Sequence, residues 1–512
     1  MKLLHCAAIT TLTILLLSCQ GNRLENDEDK LSAEILLQEK EEAERIEREN
    51  RLADSLKKLP HGFRFREDRS VDPSRPPVVI DIAGSLENTK DFALSDVASK
   101  ITYIRMERIP DSSFARVMRF KYYLMDSNIV AVNPSGIILF SRNGKYKCTV
   151  VKNETTGIEV SADRMTVMGN STFVGGGTTI WSAGNNLYYK YRNSLTGQSY
   201  IMESDCSQPP VSLSMGFDPE KPDKIRGMGR IAIDLNHGKR MAPQKGNVNG
   251  MWSSGTDFMY QQLSSMMLDR NTYVQQLSSP FDMNGKYSLG IFGQQGDTLA
   301  TFTQFEKVDR FSKTVMRGTD QGVQYENKGR YYIRNAFNDT VFLVLPPNRL
   351  LPVYVLRLGK YKLLKKEGVD PDFNLSGKII PETWADTRNF IFLTFSKDSY
   401  NCPNTRESKQ LKQYYALFSK STRKLYLVKG DPYNYDPDIL KNNLDGGMSV
   451  WPSSWMVGNH GEILISLKGK ELKEHVNSAA FSASTAPAAK KKELLKLIQS
   501  LRDDEDILMV VE

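Results

Sequence analysis

Histidine is the side chain most often used for acid–base catalysis and for zinc binding, and this sequence scatters its histidines. Five occur, at His5, His61, His237, His460 and His475. None lies in an H-E-x-x-H motif or another paired ligand spacing. The nearest approach to a G-x-S-x-G nucleophile motif, Gly447–Trp451, lacks the closing glycine. The sequence therefore predicts no catalytic, metal-binding or cofactor-binding residue.

Short motifs that bind phosphate or calcium are also missing. Gly175–Gly177 is not followed by the Lys-Ser/Thr pair of a phosphate-binding loop, so it indicates a turn or a bulge. Asp431, Asp436 and Asp438 stand among tyrosines and prolines, outside the spacing of a calcium loop.

Composition narrows the class of protein further. The chain is 40% hydrophobic and 25% charged, which indicates a globular protein with a hydrophobic core. Its net charge of +8 is spread along 512 residues without a basic stripe, so we expect no nucleic-acid partner. Cys148, Cys206 and Cys402 are scattered and form neither a disulfide framework nor a metal motif. Spacing alone leaves a distant Cys–His nucleophilic pair open.

The first nineteen residues predict where in the cell the protein is located. Lys2 precedes an apolar run, Ala7–Leu17, which is too short for a spanning helix of roughly 20 residues and fits a secretory signal. The run ends in Leu-Leu-Ser-Cys, which resembles the lipobox of bacterial lipoproteins. That resemblance implies a signal peptide over residues 1–18 and acylation of Cys19. We expect a lipid-anchored protein of the cell envelope, in the outer membrane because Gln20 is not acidic; the face of that membrane stays open.

A charged segment follows the anchor. Glu25–Lys58 is dense in Glu, Lys and Arg, contains no Gly or Pro, and pairs Glu with Arg four residues later. This pattern predicts a long α-helix. Charged residues interrupt its heptad seam, so we interpret residues 19–77 as a lipid-anchored helical spacer and not as a coiled coil.

The segment from 78 to 476 changes to short β-type runs separated by Gly, Asn, Asp and Pro. Phe140–Tyr146 recurs as Phe281–Tyr287, and Phe418–Tyr426 is a looser copy. The first two contain Asn-Gly, which supplies the positive-φ residues of a type I′ turn and predicts hairpins. Repeats of this size favour an all-β propeller.

Several motifs resemble a family of bacterial lipoproteins with six-bladed β-propellers of the NHL-like or TolB-like kind. The motifs are Leu94–Asp96 with Ile101–Glu107, Asn338–Phe342 with Pro352–Gly359, Asp445–Pro452 and Asp503–Met509. The resemblance implies a six-bladed β-propeller over residues 78–476. Residues 477–512 are predicted to form a connector, a short amphipathic helix from Lys490 to Leu501 and a tail.

The function follows from this predicted architecture. A rigid propeller presents loop-lined faces on which binding residues can lie. Aromatic side chains either line a groove there or pack between blades: Trp181, Tyr188, Tyr189, Tyr191, Trp252, Tyr260, Trp451 and Trp455. We expect a non-catalytic platform for a protein, peptide or glycan partner. The alternative is a propeller lyase or hydrolase that acts on glycans through acidic and tyrosine side chains.

Overall fold

The computed structural model describes residues 74–110, 120–133, 136–152, 322–370, 375–397, 412–430, 439–453 and 460–512, with shorter stretches between 158 and 304 and a few positions elsewhere. The chain divides into two compact units, Met1–His61 and Gly62–Glu512. In the first unit, five positions between Lys40 and Asn50 are described, and all five are helical and exposed. The long helix over Glu25–Lys58 therefore stays a prediction.

The second unit begins with three short strands that join sheets formed much later in the chain. They are β1 (Val78–Asp81), β2 (Thr89–Lys90) and β3 (Ile101–Arg105). Two 3-10 turns, Ala83–Ser85 and Leu94–Asp96, separate them.

Five sheets of four or five strands follow and form the blades of a β-propeller. Blade 1 contains β4 (Lys121–Leu124), β5 (Asn128–Asn133), β6 (Gly136–Ser141) and β7 (Tyr146–Lys152). Blade 2 contains β8 (Ile158–Val160), β11 (Ile180–Ala183), β12 (Asn186–Asn193), β13 (Ser199–Asp205) and β14 (Arg230–Asp234), with the small hairpin β9 (Thr166–Met168) and β10 (Ser171–Phe173) between its first two strands in the chain. Blade 3 contains β15 (Ser265–Met267), β16 (Thr272–Gln276), β17 (Tyr287–Gly293) and β18 (Thr298–Thr303).

Blades 4 and 5 each take one of the early strands at their outer edge. Blade 4 contains β19 (Val323–Asn327), β20 (Arg330–Arg334), β21 (Thr340–Leu345) and β22 (Arg349–Arg357), and β1 pairs in parallel with β22. The 3-10 turn Gly359–Tyr361 and the short helix α1 (Lys365–Val369) follow it. Blade 5 contains β23 (Ile379–Asp386), β24 (Phe390–Lys397), β25 (Lys412–Ser419) and β26 (Lys424–Val428), and β2 pairs in parallel with β26.

The two ends of this unit meet in a three-stranded sheet. β27 (Ile463–Lys468) and β28 (Asp506–Val511) are antiparallel, and β28 also pairs with β3. Between β27 and β28 lie the helices α2 (Gly469–Val476), α3 (Ala479–Ala483) and α4 (Ala488–Gln499). β28 thus falls within the segment predicted as connector and tail.

The predicted number of six blades is wrong, because the described residues form five. Of the three early strands, β1 and β2 extend blades 4 and 5, so only β3 joins β27 and β28. Among the described residues, this closing sheet therefore reaches three strands and not the four of a further blade.

Hydrophobic cores lie between neighbouring sheets. β24 is buried on both faces because other elements pack on either side of it: Phe395 joins a cluster with Val341 of blade 4, and Phe392 joins a cluster with the C-terminal helices. Leu494 and Ile498 of α4 are buried in that second cluster, as the amphipathic pattern predicted. Among the described residues, no helix is long and apolar enough to cross a membrane.

Of the two predicted Asn-Gly hairpins, the structure describes the one in Phe140–Tyr146, and it is present; the looser copy, Phe418–Tyr426, also joins two strands. β6 and β7 form one hairpin, and β25 and β26 form another. The type I′ geometry is wrong for the first, because only Gly144 of the Asn143-Gly144 pair has a positive φ, +82°. A Cβ on Gly144 would lie 2.0 Å from the carbonyl oxygen of Arg105, so this position requires glycine. The Asn284-Gly285 turn lies outside the described residues.

Candidate functional site

The first strands of blades 4 and 5 lie close to each other. β19 and β23 approach each other, and so do β27 and β4. Blades of a propeller surround a central channel, and strands that meet in this way border it. β23 therefore holds its side chains near the axis of the molecule.

Glu382 is the extra residue of a β-bulge in β23. Before it, Pro381 pairs with Phe395, and after it, Thr383 pairs with Thr394. A bulge leaves one residue outside the ladder and redirects its side chain, and bulges are common beside functional sites. The bulge gives Glu382 a direction that regular pairing would not.

The Glu382 carboxylate is held by the next two strands of blade 5. Nε2 of Gln413 on β25 donates to Oε2 of Glu382 at 2.9 Å. The hydroxyl of Ser396 on β24 forms a second hydrogen bond with the carboxylate. The Tyr415 hydroxyl donates in turn to Oε1 of Gln413 at 3.4 Å. Three strands thus contribute one continuous polar row.

The environment of Glu382 combines exposure with desolvation. Its side chain is exposed to solvent, yet the surrounding protein raises the pKa of its carboxyl by desolvation, against the two hydrogen bonds, which lower it. The ion pairs among the described residues do not include Glu382.

Aromatic rings lie beside the polar row. The Trp451 ring meets the Tyr415 ring edge-to-face at a centroid distance of 5.0 Å, and the Phe392 ring at 5.2 Å. Trp451 is half-buried. Its indole nitrogen and the hydroxyl of Ser453 are buried without a hydrogen-bond partner in the described part of the chain, which is costly for a polar group.

These side chains form what we call the Glu382 cleft: Glu382, Ser396, Gln413, Tyr415 and Trp451. The cleft offers a carboxylate that accepts hydrogen bonds and an amide that donates them, next to partly exposed aromatic surface. A few converging polar groups beside aromatic rings are the usual composition of a small-ligand site. The cleft can therefore bind and orient a polar ligand.

A buried polar cluster between blades 4 and 5 has a different character. Oδ2 of Asp386 accepts from the Tyr325 hydroxyl at 2.9 Å, its carbonyl oxygen accepts from Nδ2 of Asn327 at 3.1 Å, and Oδ1 pairs with Lys420. Lys420 also donates to the carbonyl oxygen of Thr387. These contacts link β19 of blade 4 to blade 5 inside the protein, so we interpret this cluster as a fastening between blades.

A second carboxyl with a raised pKa, Glu326, faces another blade. Burial raises the pKa of Glu326 to about 8, although a hydrogen bond from the Gly329 N–H lowers it. Gln324 lies on the same face of β19 and donates to Oε1 of Gln276 in blade 3 at 2.9 Å. Glu382 lies on the opposite side of the next blade, toward Trp451, so the two carboxyls do not converge on one reacting atom.

The structure places the sequence-predicted residues in separate locations. Cys19 lies outside the described residues, as do His61, His237 and Cys402. Nε2 of His460 lies 3.2 Å from Oδ1 of Asp126 at the surface, and Nε2 of His475 lies 2.9 Å from the carbonyl oxygen of Gly446. Cys148 and Cys206 are free thiols. Among the described residues, no three His, Cys, Asp or Glu side chains are grouped so that they could hold a metal ion.

The predicted aromatic set divides in the same way. Tyr188 is buried, and its hydroxyl donates to Oε1 of Glu203 at 2.8 Å, which is packing inside blade 2. Trp451 belongs to the Glu382 cleft. The side chains of the other members lie outside what the structure describes: Trp181, Tyr189, Tyr191, Trp252, Tyr260 and Trp455.

Sequence reasoning missed Glu382, Ser396 and Gln413. One signal was present, because Pro381 stands inside an apolar run and proline within a sheet is confined to edges and bulges. That signal marks an irregular edge strand at Pro381-Glu382. It does not show which later residues pair beside it.

Comparison with known proteins adds a family. The model of a family described as "Domain of unknown function (DUF4933)" matches residues 60–478. No curated protein matches the chain.

Three solved structures from Bacteroides resemble it at identities too low to inform function. A B. fragilis NCTC 9343 protein, provisionally described as exported, is 10% identical with a TM-score of 0.48, over 85% of this chain and 99% of that one. A DUF4221 family member from B. vulgatus ATCC 8482 is 8% identical (TM-score 0.34, over 81% and 97%), and a protein of unknown function from B. caccae is 9% identical (TM-score 0.24, over 61% and 80%).

Proposed function

The chain belongs to the DUF4933 family, and from that premise we propose that its propeller is a non-catalytic binding platform whose ligand-contacting surface is the Glu382 cleft. One observation carries this proposal. The exposed Glu382 side chain is hydrogen-bonded to Ser396 and Gln413 near the Trp451 ring, and the surrounding protein raises the pKa of its carboxyl. The exposed Glu382 carboxylate and the partly exposed Gln413 amide can exchange water for a ligand.

The cellular location of the platform is also a proposal, and it rests on the sequence. Leu16–Cys19 resembles a lipobox, and Gln20 lacks the acidic character that retains lipoproteins in the inner membrane of some bacteria. We place the platform at the cell envelope, acylated on Cys19 and held in the outer membrane. A ligand would then be met outside the cytoplasm.

An enzyme is the competing function, and the positions of the Glu326 and Glu382 carboxyls do not support it. General acid–base chemistry on one bond needs two groups within reach of the same substrate atoms. Glu326 faces blade 3, whereas Glu382 faces Trp451, so these two carboxyls with raised pKa serve different surfaces. Turnover of an oligosaccharide by the purified protein, lost in Glu382→Gln, would overturn the non-catalytic proposal.

Hydrogen–deuterium exchange tests the platform even while its ligand is unidentified. The full-length protein in mild detergent is compared with and without a soluble extract of cell envelopes. We expect slower exchange in peptides that cover β23, β24 and β25 when the extract is present, because a bound ligand shields the cleft. Glu382→Ala should abolish this protection, while Gln499→Ala, an exposed glutamine on α4, should retain it. Protection confined to other regions, or none at all, would contradict the proposal.

A further inference from the structure

The chemistry of the Glu382 cleft narrows the class of ligand. Glu382 contributes a carboxylate, which repels an anionic ligand. One N–H of the Gln413 amide is used on Glu382, which leaves a second N–H as a donor. A ligand that matches both groups must donate to one and accept from the other.

An ammonium group meets only half of that requirement. It has three donors and no acceptor, so it would pair with Glu382 and leave the remaining Gln413 donor facing another donor. A hydroxyl group donates and accepts at once. Two adjacent hydroxyls therefore fit the Glu382–Gln413 pair better than an amine does.

The neighbouring residues extend this preference. Thr383 and Thr394, which flank the bulge, are linked through their hydroxyls at 2.7 Å. On the other side, the half-buried Trp451 supplies aromatic surface, and the buried Tyr415 ring packs against it. The C–H groups of a sugar ring are apolar enough to pack on such surface, while its hydroxyls reach the polar row.

We propose that the Glu382 cleft binds a neutral sugar unit of a glycan, with Glu382 and Gln413 taking adjacent hydroxyls and Trp451 contacting the ring. This inference rests on the proposed function, since it names the ligand class of the same surface. Because Glu382 is exposed, the cleft is open and accepts a unit within a longer chain.

An array of neutral oligosaccharides tests the inference directly. The full-length protein in mild detergent is applied to the array, and the strongest ligand is then titrated by calorimetry. We expect binding that Glu382→Ala and Gln413→Ala each weaken by at least about tenfold, because each removes a hydrogen-bonding partner of the ligand. Gln499→Ala should bind as wild type does. Thermal melts of each variant show that the loss is not unfolding.

The Glu382→Gln variant distinguishes binding of a sugar from binding of a cation. Glutamine keeps an oxygen that accepts from a hydroxyl, so glycan binding should fall by only a few fold. A lysine-containing hexapeptide that binds the wild type and is lost in Glu382→Gln would overturn the glycan inference in favour of a cationic peptide.

The two proposals can fail separately. If no neutral oligosaccharide binds while the envelope extract still protects β23 to β25, the glycan inference is wrong and the platform stands. If the extract protects nothing and the array is silent, the proposed function itself is wrong.

Discussion

Glu326 couples the stability of the folded body to pH. Burial raises the pKa of its carboxyl to about 8 from an ordinary value of 4.5. Between those values the folded protein holds a proton that the unfolded chain has released, so the free energy of unfolding falls as pH rises from about 5 to about 8, by up to about 1.4 kcal/mol per pH unit. Glu326→Gln cannot ionise and should lose this fall, which urea unfolding at several pH values measures.

The control for Glu326 is an exposed glutamate. Glu87 lies on the surface, and Glu87→Gln should follow the wild-type pH profile. At pH 8, where Glu326 is ionised in about half of the folded wild-type molecules, Glu326→Gln should be the more stable protein. Identical profiles for wild type and Glu326→Gln would show that the coupling lies elsewhere.

Tyr325 contributes to stability through its hydroxyl. That hydroxyl donates to Asp386, while the ring stacks on Tyr332 at 4.9 Å. Tyr325→Phe keeps the ring and leaves a buried carboxylate oxygen short of one donor, so it should cost about 1–3 kcal/mol of unfolding free energy. Tyr426→Phe, which keeps its ring contact with Phe92, should cost less than about 0.5 kcal/mol. Equal stability of the two variants in urea would show that the Tyr325–Asp386 hydrogen bond does not stabilise the contact between blades 4 and 5.

At the scale of elements, local sequence predicts strands better than it predicts their partners. β24 is visible as an apolar run because both of its faces are buried, and the hairpin at Gly144 is visible because the turn demands glycine. The partners of β1 and β2 are strands more than 250 residues away, and no local pattern encodes such parallel pairing. This is why the sequence predicts a propeller and miscounts its blades.

The sequence does not predict the Glu382 cleft, because local patterns do not encode which strands pair. Glu382, Ser396, Gln413 and Trp451 come from three strands and a later segment, and none forms a motif with its neighbours in sequence. Trp451 alone was selected, on residue type. A site assembled by pairing and a bulge becomes visible only when the register of β23, β24 and β25 is known.

β28 closes the second unit and should be indispensable. It lies between β27 and β3, and five of its six side chains are buried. Truncation after Glu505 should abolish the cooperative thermal transition, because it exposes two strand edges and the apolar surface beneath them. The matched variant is Glu512→Ala, which removes only an exposed ion pair with Lys100 and should melt as wild type does. A truncated chain that still melts cooperatively would contradict this role.

The charged segment at the other end should be dispensable for folding. Charged residues interrupt its heptad seam, and its described positions are exposed. Deletion of residues 25–58 should leave the melting temperature of the body within a few degrees of wild type, because helices held by local ion pairs add little stability elsewhere. A larger fall in differential scanning calorimetry would mean that the segment packs against the folded body.

At the scale of the whole molecule, the ends of the second unit are fastened to each other. Its early strands join blades 4 and 5 and the closing sheet, where β3 lies beside the last strand, β28. Arg105 of β3 reinforces this closure, since its Nε and Nη2 atoms donate to both carboxylate oxygens of Glu505, next to β28. The proposed lipid tether at Cys19 would therefore not need to contribute to the fold of this body.

Cys19 is the proposed attachment of that tether, and Cys19→Ala should convert a membrane-bound protein into a soluble or uncleaved one. Each buried methylene of an acyl chain contributes about 0.8 kcal/mol, so one chain binds reversibly, whereas the three chains of a fully processed lipoprotein hold firmly. Metabolic labelling with a fatty-acid analogue, followed by membrane fractionation, measures both effects. Ser18→Ala is the matched control, because alanine also fits the small-residue position before the cysteine, and it should be labelled as wild type is. Equal labelling of wild type and Cys19→Ala would show that the anchor lies elsewhere, and protease shaving of intact cells then tells whether the propeller faces the outside or the periplasm.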